Sequence, residues 1–564
     1  MKPDRSCNGS KQGRLAALSI VTIGMLALAG CGGSDGGSSS SSAANLKQTS
    51  NKQANPSASN QPYVDTIAYS MNANDGLTAS QVTEKAAVMQ HQWTSGSTTI
   101  NYTTTTGHLT AADSQGNPEA SMSYVAYTAP SADGTPRPVT FIYNGGPGSS
   151  SIWLRLGSFA PTRVATPDPL FGNNWPNYPL VDNKESMLDV SDLVYIDPPG
   201  TGLSEAVLPN TNQVFWGCDP DVKVIRDFVE RYIAVNNRSK SPLYLYGESY
   251  GTPRTDMLAL SLESAGVHLT GIVLQSSILN YGSTDDAADD LPSYAEVSAY
   301  YNQVSPAPVS LSAYAQQMEQ FSTAQYRHLN NGTPPLRTLQ SWSHTSGMSV
   351  QALQSYFSQN WFSDTLVSNG QIGRYDGRVT LPDSDPRLQS DNDPSDILIS
   401  QPFTNALATQ MPDYLGYTAP NSTYVPLNDG MTWDFSHGGQ SYPDTIPDLL
   451  GALTLNPRLE ILSENGYHDL ATPFFNTEKQ LARLQTVPHL NPNLQVNFVQ
   501  GGHMIYLDDV ARPQVKAHLK LFYAAKQIPG ALTLTTLPQP WRDESPASSP
   551  TVSTSTAVTS AAAP

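Results

Sequence analysis

The chain of 564 residues is far longer than a disulfide-stapled miniature and long enough for one large domain with insertions or for several smaller ones. Apolar side chains make up 38% of it and charged ones 14%, which excludes a wholly disordered chain and also a protein of many membrane spans. With 30 Lys and Arg against 48 Asp and Glu, the formal charge of −18 and the lack of any basic patch exclude a nucleic acid as the main partner, because phosphate binding needs clustered cations.

Lys2, Arg5, Lys11 and Arg14 precede an apolar run over 15–29, followed by Gly30 and Cys31, the plan of an export signal over 1–30. The run is too short for a good membrane span. Leu28-Ala29-Gly30-Cys31 resembles the bacterial lipobox, which implies cleavage before Cys31 and a lipid on that cysteine. Gly32 is not the Asp that favours the inner membrane, so the expected location is the cell envelope, on the outer membrane if the cell is Gram-negative. Of the three cysteines, Cys7, Cys31 and Cys218, cleavage would leave Cys218 as the one ordinary thiol; no intrachain disulfide can then form, and Cys218 is expected as a packed side chain.

Residues 31–62, rich in Ser, Gly, Ala and Asn, read as a flexible tether, and 529–564 as a disordered tail. The β-branched and aromatic runs 98–105 and 121–128 predict a small antiparallel sheet. Short apolar runs then recur at 138–143, 193–196, 243–246, 272–274, 459–462 and 494–499, with helical stretches at 219–234, 251–265 and 508–525. That alternation predicts a mostly parallel sheet covered by helices on both faces, in two sequence blocks, 63–282 and 448–528. Residues 283–447 break the rhythm, with amphipathic pieces at 311–321 and 349–357, and read as a largely helical cap insertion.

Gly247-Glu248-Ser249-Tyr250-Gly251 lies between an apolar run and a helical stretch, the setting of a nucleophile elbow. A serine hydroxyl needs a base, and the base needs a carboxylate to orient it. Asp469, in Asn465-Gly466-Tyr467-His468-Asp469, and His503, in Gly501-Gly502-His503-Met504, follow the next strand runs in the required order. His468 is a rival base, but neighbouring residues point apart. Asn144-Gly145-Gly146-Pro147-Gly148-Ser149-Ser150-Ser151 lacks the Lys of a phosphate loop; beside an elbow it predicts an oxyanion hole from the backbone N–H groups of Gly146 and Tyr250. Asp391-Asn392-Asp393-Pro394-Ser395-Asp396 lacks the Gly and terminal Glu of a calcium loop, and no metal or other cofactor is expected. Trp153, Trp175 and Tyr178 are read as core residues before pocket residues.

These blocks, together with Asp197-Pro-Pro-Gly-Thr-Gly-Leu-Ser204, resemble in order those of the serine carboxypeptidase family over about residues 63–528. The resemblance implies an α/β-hydrolase fold, a triad of Ser249, Asp469 and His503, and peptide substrates whose terminal carboxylate is held by Asn144 and Glu248. A Glu can hold a carboxylate only when one of the two is protonated, so acid conditions should favour the reaction. Two departures stand out. Ser158 occupies the place of the family's usual second Glu, and Ser149 that of a disulfide cysteine. The alternatives are an aminopeptidase of the prolyl type, an acyltransferase or esterase, and a catalytically silent surface binding protein. Oligomeric state cannot be read.

Overall fold

The structure is a computed structural model that describes residues 59–168, 175–283, 287–327, 334–355, 366–388, 393–409, 411–486 and 493–538. Cys31, the export signal, most of the tether, the tail beyond 538, and Asp391 and Asn392 lie outside the described residues.

One eleven-stranded sheet organises the chain. Its strands are β1 (Ala86–Ser95), β2 (Thr98–Ala112), β3 (Pro118–Thr128), β4 (Val139–Tyr143), β5 (Asp192–Ile196), β6 (Glu205–Ala206), β7 (Leu243–Ser249), β8 (Gly271–Ser277), β9 (Glu460–Gly466), β10 (Asn493–Val499) and β11 (Leu532–Thr533). Their spatial order is β11-β10-β9-β8-β7-β4-β5-β3-β2-β1, with β6 beside β3. The six from β10 to β5 run parallel, whereas β1, β2 and β3 form an antiparallel meander on one edge. The parallel strands read as nearly unbroken apolar runs because helices bury both of their faces.

Period-two alternation sends neighbouring residues to opposite cores. Phe141, Val194, Leu245, Ile272 and Ile461 pack with α2 (Cys218–Val235), α3 (Gly251–Ser264) and α9 (Ile446–Leu455). Ile142, Tyr195, Tyr246, Val273 and Leu462 pack with α1 (Ile152–Gly157), α8 (Pro394–Thr409) and α11 (Ala511–Tyr523). These two faces, closed over a mostly parallel sheet, make the α/β-hydrolase fold.

The insertion has two characters. Its first part, α4 (Ala287–Tyr300), α5 (Leu311–Ala324), α6 (Leu336–Ser346) and α7 (Val350–Ser355), closes a core of its own around Leu291, Met318, Phe321, Leu339 and Trp342. A hairpin, Gly370–Ile372 against Thr380–Pro382, links that cap to α8, whose Leu398 and Phe403 belong to the main core. From Tyr417 onward the chain is an extended strap, not a helix: Tyr417–Thr418 pairs with Tyr63–Val64, and single bridges join Val425 to Gly202, Leu427 to Ser149, Asp434 to Gly217 and Asp444 to Asn280. The strap therefore runs across the loops at the carboxyl ends of the parallel strands, the edge on which the candidate site is built. Helix α10 (Phe474–Ala482) follows the Asp469 loop.

Candidate active site

Ser249 ends β7 with φ +61° and α3 begins two residues later, so the side chain stands on a strained strand-to-helix turn. Both flanking glycines are tightly enclosed, Gly247 the more so. A Cβ on Gly247 would fall 2.0 Å from the Gly251 carbonyl oxygen, and one on Gly251 would fall 3.0 Å from the Tyr143 carbonyl oxygen. The Gly-rich loop presses on this turn: a Cβ on Gly145 would lie 2.3 Å from the Tyr250 nitrogen. The N–H groups of Gly146 and Tyr250 carry no hydrogen bond among the described residues and remain free for an incoming oxygen.

Because β7, β8, β9 and β10 are successive neighbours, the loops that leave them meet on one edge. His503 Nδ1 is 2.8 Å from Asp469 Oδ2. Asp469 also accepts from the Ala471 and Thr472 N–H groups and from the Thr472 hydroxyl. It acts only as an acceptor, so Nδ1 bears the imidazole proton and Nε2 keeps its lone pair. His503 Nε2 is buried and has no hydrogen bond, to Ser249 or to any other described residue. Burial works against a charged imidazole, yet Asp469 and, second to it, Glu248 hold the His503 pKa above its ordinary value.

Three supports of this pair are not legible in the sequence. The Thr472 hydroxyl sits 3.0 Å from His503 Nδ1 and 2.7 Å from Asp469 Oδ2, and so fixes their relative height. Ser276, at φ +51°, donates its hydroxyl to the His503 carbonyl. The cap hairpin clamps both loops, since His503 N donates to the Tyr375 carbonyl at 2.6 Å and Leu470 N to the Arg374 carbonyl at 3.1 Å. Gly502 is needed at that clamp, where a Cβ would lie 2.3 Å from the Tyr375 carbonyl oxygen.

His468 is not placed as a base. It is fully buried beside Arg378, and burial first, then that cation, push its pKa down to about 3. Cys218 is a buried free thiol that accepts from the Tyr250 hydroxyl; burial raises its pKa to about 11, which makes it unreactive.

Behind the serine, Asn144 and Glu248 are each 2% exposed and bonded to each other, Nδ2 to Oε1 at 2.8 Å. Gln275 donates to the second Glu248 oxygen at 2.5 Å, and Leu154 N donates to Asn144 Oδ1. Burial, more than any neighbour, raises the Glu248 pKa to about 7. The Ser158 hydroxyl turns away and donates to the Leu154 carbonyl. Arg254, buried between the rings of Tyr143 and Tyr250 and paired with Asp221, donates to the Asn144 carbonyl at 2.6 Å and so fixes the Gly-rich loop. Asp197 anchors the far end of that loop by accepting from the Ser151 N–H and hydroxyl. Among the described residues no group of His, Cys, Asp and Glu is arranged to hold a metal ion.

A family model described as serine carboxypeptidase matches residues 95–499, well over half of the chain. No curated protein matches. Among solved structures the chain is similar to proline iminopeptidase of Mycobacterium smegmatis, at 14% identity and a TM-score of 0.31 over 78% of this chain and 99% of that one. It is also similar to a soluble variant of monoglyceride lipase from Saccharomyces cerevisiae, at 12% and 0.30 over 72% and 92%, and to Aspergillus niger epoxide hydrolase, at 13% and 0.31 over 76% and 79%.

Proposed function

Because this chain belongs to the serine carboxypeptidase family, we propose that it removes residues from the C-terminus of peptides through an acyl-enzyme on Ser249. His503 Nε2 takes the serine proton as the hydroxyl oxygen attacks the carbonyl carbon, and Asp469 stabilises the imidazolium that forms. The oxyanion is received by the N–H groups of Gly146 and Tyr250. The imidazolium then protonates the leaving amine, and water, activated by the same His503, releases the acyl group.

The observation that carries the C-terminal reading is the buried Glu248, bonded to Asn144 beside the elbow with a pKa near neutrality. While protonated, it is compatible with a substrate carboxylate; once ionised, it repels one. Blocked peptides with a free C-terminal acid should therefore be cleaved in strong preference to the same peptides amidated, and that preference should shrink as pH rises through about 7. Protonation of His503 limits both substrates on the acid side, so only the ratio of the two rates isolates Glu248. Kinetics of the pair from about pH 5 to 8.5 test this. Equal cleavage of acid and amide at every pH rejects the reading, and removal of the first residue from unblocked peptides identifies an aminopeptidase instead.

The Gly-rich loop supplies a second check. In Gly145→Ala the new methyl meets only backbone, at the Tyr250 and Gly251 nitrogens and the Glu248 oxygen, so the loop must retreat from the elbow and misplace the Gly146 donor. A fall in kcat of about 10²- to 10³-fold is expected, the size of one lost oxyanion donor. A variant that folds and keeps kcat within threefold of the parent contradicts the assignment of Gly146.

A further inference from the structure

We propose that Arg374, carried by the cap hairpin, is a second ligand for the C-terminal carboxylate of the substrate. The inference rests on the carboxypeptidase reading and names a residue outside the blocks that support it. Arg374 is held between the two triad loops. Its carbonyl accepts from Leu470, next to Asp469, and the following carbonyl, of Tyr375, accepts from His503. Its N–H donates to Asp393 Oδ2 at 2.6 Å, which fixes the backbone from the cap side. The side chain is exposed, and among the described residues its guanidinium makes no hydrogen bond or ion pair. Its charge is felt at His503, Tyr281 and Asp396, and its backbone lies on the edge that carries the triad.

The pair behind the serine leaves room for such a ligand. Asn144 and Glu248 satisfy each other, Gln275 takes the remaining Glu248 oxygen, and Ser158 supplies no carboxyl group. When Glu248 ionises, that pair carries a net negative charge that repels an anion, whereas a guanidinium binds a carboxylate through paired N–H donors at any pH the enzyme meets. The carboxyl groups near Arg374 are not paired with its guanidinium. Asp393 turns its oxygens to the Arg374 and Ser395 N–H groups, Asp469 turns its own to His503 and Thr472, and burial raises the Asp396 pKa to about 8, so that this group is neutral at pH 5 and partly ionised at pH 8. Tyr281 and Tyr375 are raised by burial and stay neutral, His503 is the base itself, and Asp429, also raised by burial, faces Asp396.

The test compares the parent enzyme, Arg374→Gln and Arg374→Lys on matched free-acid and amidated peptides at pH 5 and pH 8. The parent should keep part of its acid preference at pH 8, although Glu248 is then ionised. Arg374→Gln should lose about tenfold of that residual preference, expressed in KM more than in kcat, and Arg374→Lys should retain most of it. The side chain is exposed, so both variants are expected to fold. An Arg374→Gln enzyme with the parent's acid preference at pH 8 overturns the inference, as does an Arg374→Lys enzyme no better than Arg374→Gln. Absence of any acid preference in the parent at pH 5 instead removes the carboxypeptidase reading, and the inference with it.

Discussion

Ser249→Ala is expected to lower kcat by on the order of 10⁵- to 10⁶-fold while leaving the fold intact, because the nucleophile and its base act as a unit and each is worth about as much as the whole. The substitution removes one oxygen from a half-buried side chain, and no hydrogen bond of that hydroxyl holds the structure together among the described residues. Asp469→Asn should cost less, on the order of 10⁴-fold. An amide at that position presents N–H groups where His503 Nδ1 and the Thr472 donors now find acceptors, so the imidazole loses the tautomer that leaves Nε2 free. Pre-steady-state kinetics with an activated ester check both: the parent should give a burst of alcohol equal to the enzyme present, Ser249→Ala none, and Asp469→Asn a slow one. A Ser249→Ala enzyme within tenfold of the parent on peptides would place the chemistry elsewhere and remove the acyl-enzyme.

What the sequence made legible follows from how locally each feature is encoded. The Ser249 elbow is written in five consecutive residues because its tightest steric demand is local: a Cβ on Gly247 would strike the carbonyl of Gly251, four residues on. Asp469 and His503 are legible because each follows an apolar run that can only be a buried parallel strand. Their meeting depends on the strand order, which the runs do not state. The helix over 219–234 is found at Cys218–Val235 and that over 508–525 at Ala511–Tyr523, since amphipathic periodicity suffices for both. The strand Ala86–Ser95 escapes, because an edge strand of a meander with Gln90, His91 and Gln92 at its centre has no continuous apolar run. Thr472, Ser276 and Tyr375 escape for another reason. Each reaches His503 through a hydrogen bond across a long stretch of chain, and a lone Thr, Ser or Tyr in a loop carries no periodic or spacing signal. The strap from Tyr417 to Asp444 is likewise invisible, as its partners Gly202, Ser149 and Gly217 are spread over the first half of the chain.

The cap is expected to be held on the enzyme by protons, so its stability should fall steeply from pH 5 to pH 9. Three carboxyl groups meet where it joins the core: Glu296 on α4, Glu319 on α5 and Glu478 on α10. Both oxygens of Glu296 and one of Glu478 are buried without a hydrogen bond, and Glu319 and Glu478 are close enough to share a proton. Among the described residues the other titratable groups interacting with them are Tyr314 and Tyr467, neither of them a cation. Burial first, then mutual repulsion for Glu296 and Glu478, raises the three to about 8 for Glu296, about 7 for Glu319 and about 9 for Glu478. A carboxyl raised in the folded state contributes stability that is complete below its ordinary value of 4.5 and is lost progressively as pH rises from there through the folded values, here about 7 to 9. Ionising even one such buried, unpaired group costs on the order of 3 kcal/mol. The consequence reaches the active site, because Leu470, beside Asp469, packs in the cap core and the hairpin that follows the cap clamps His503. Alkaline loosening should therefore lower kcat toward amidated and free-acid peptides alike, unlike the Glu248 effect, which changes only their ratio. Hydrogen exchange of α4–α6 and thermal unfolding at pH 5, 7 and 9 measure the loss. Glu296→Gln combined with Glu478→Gln keeps the shapes of the protonated side chains and removes two of the three ionisations, so it should flatten the pH dependence of both. If the double variant loses as much protection at pH 9 as the parent, overall charge repulsion drives the change and the cluster does not.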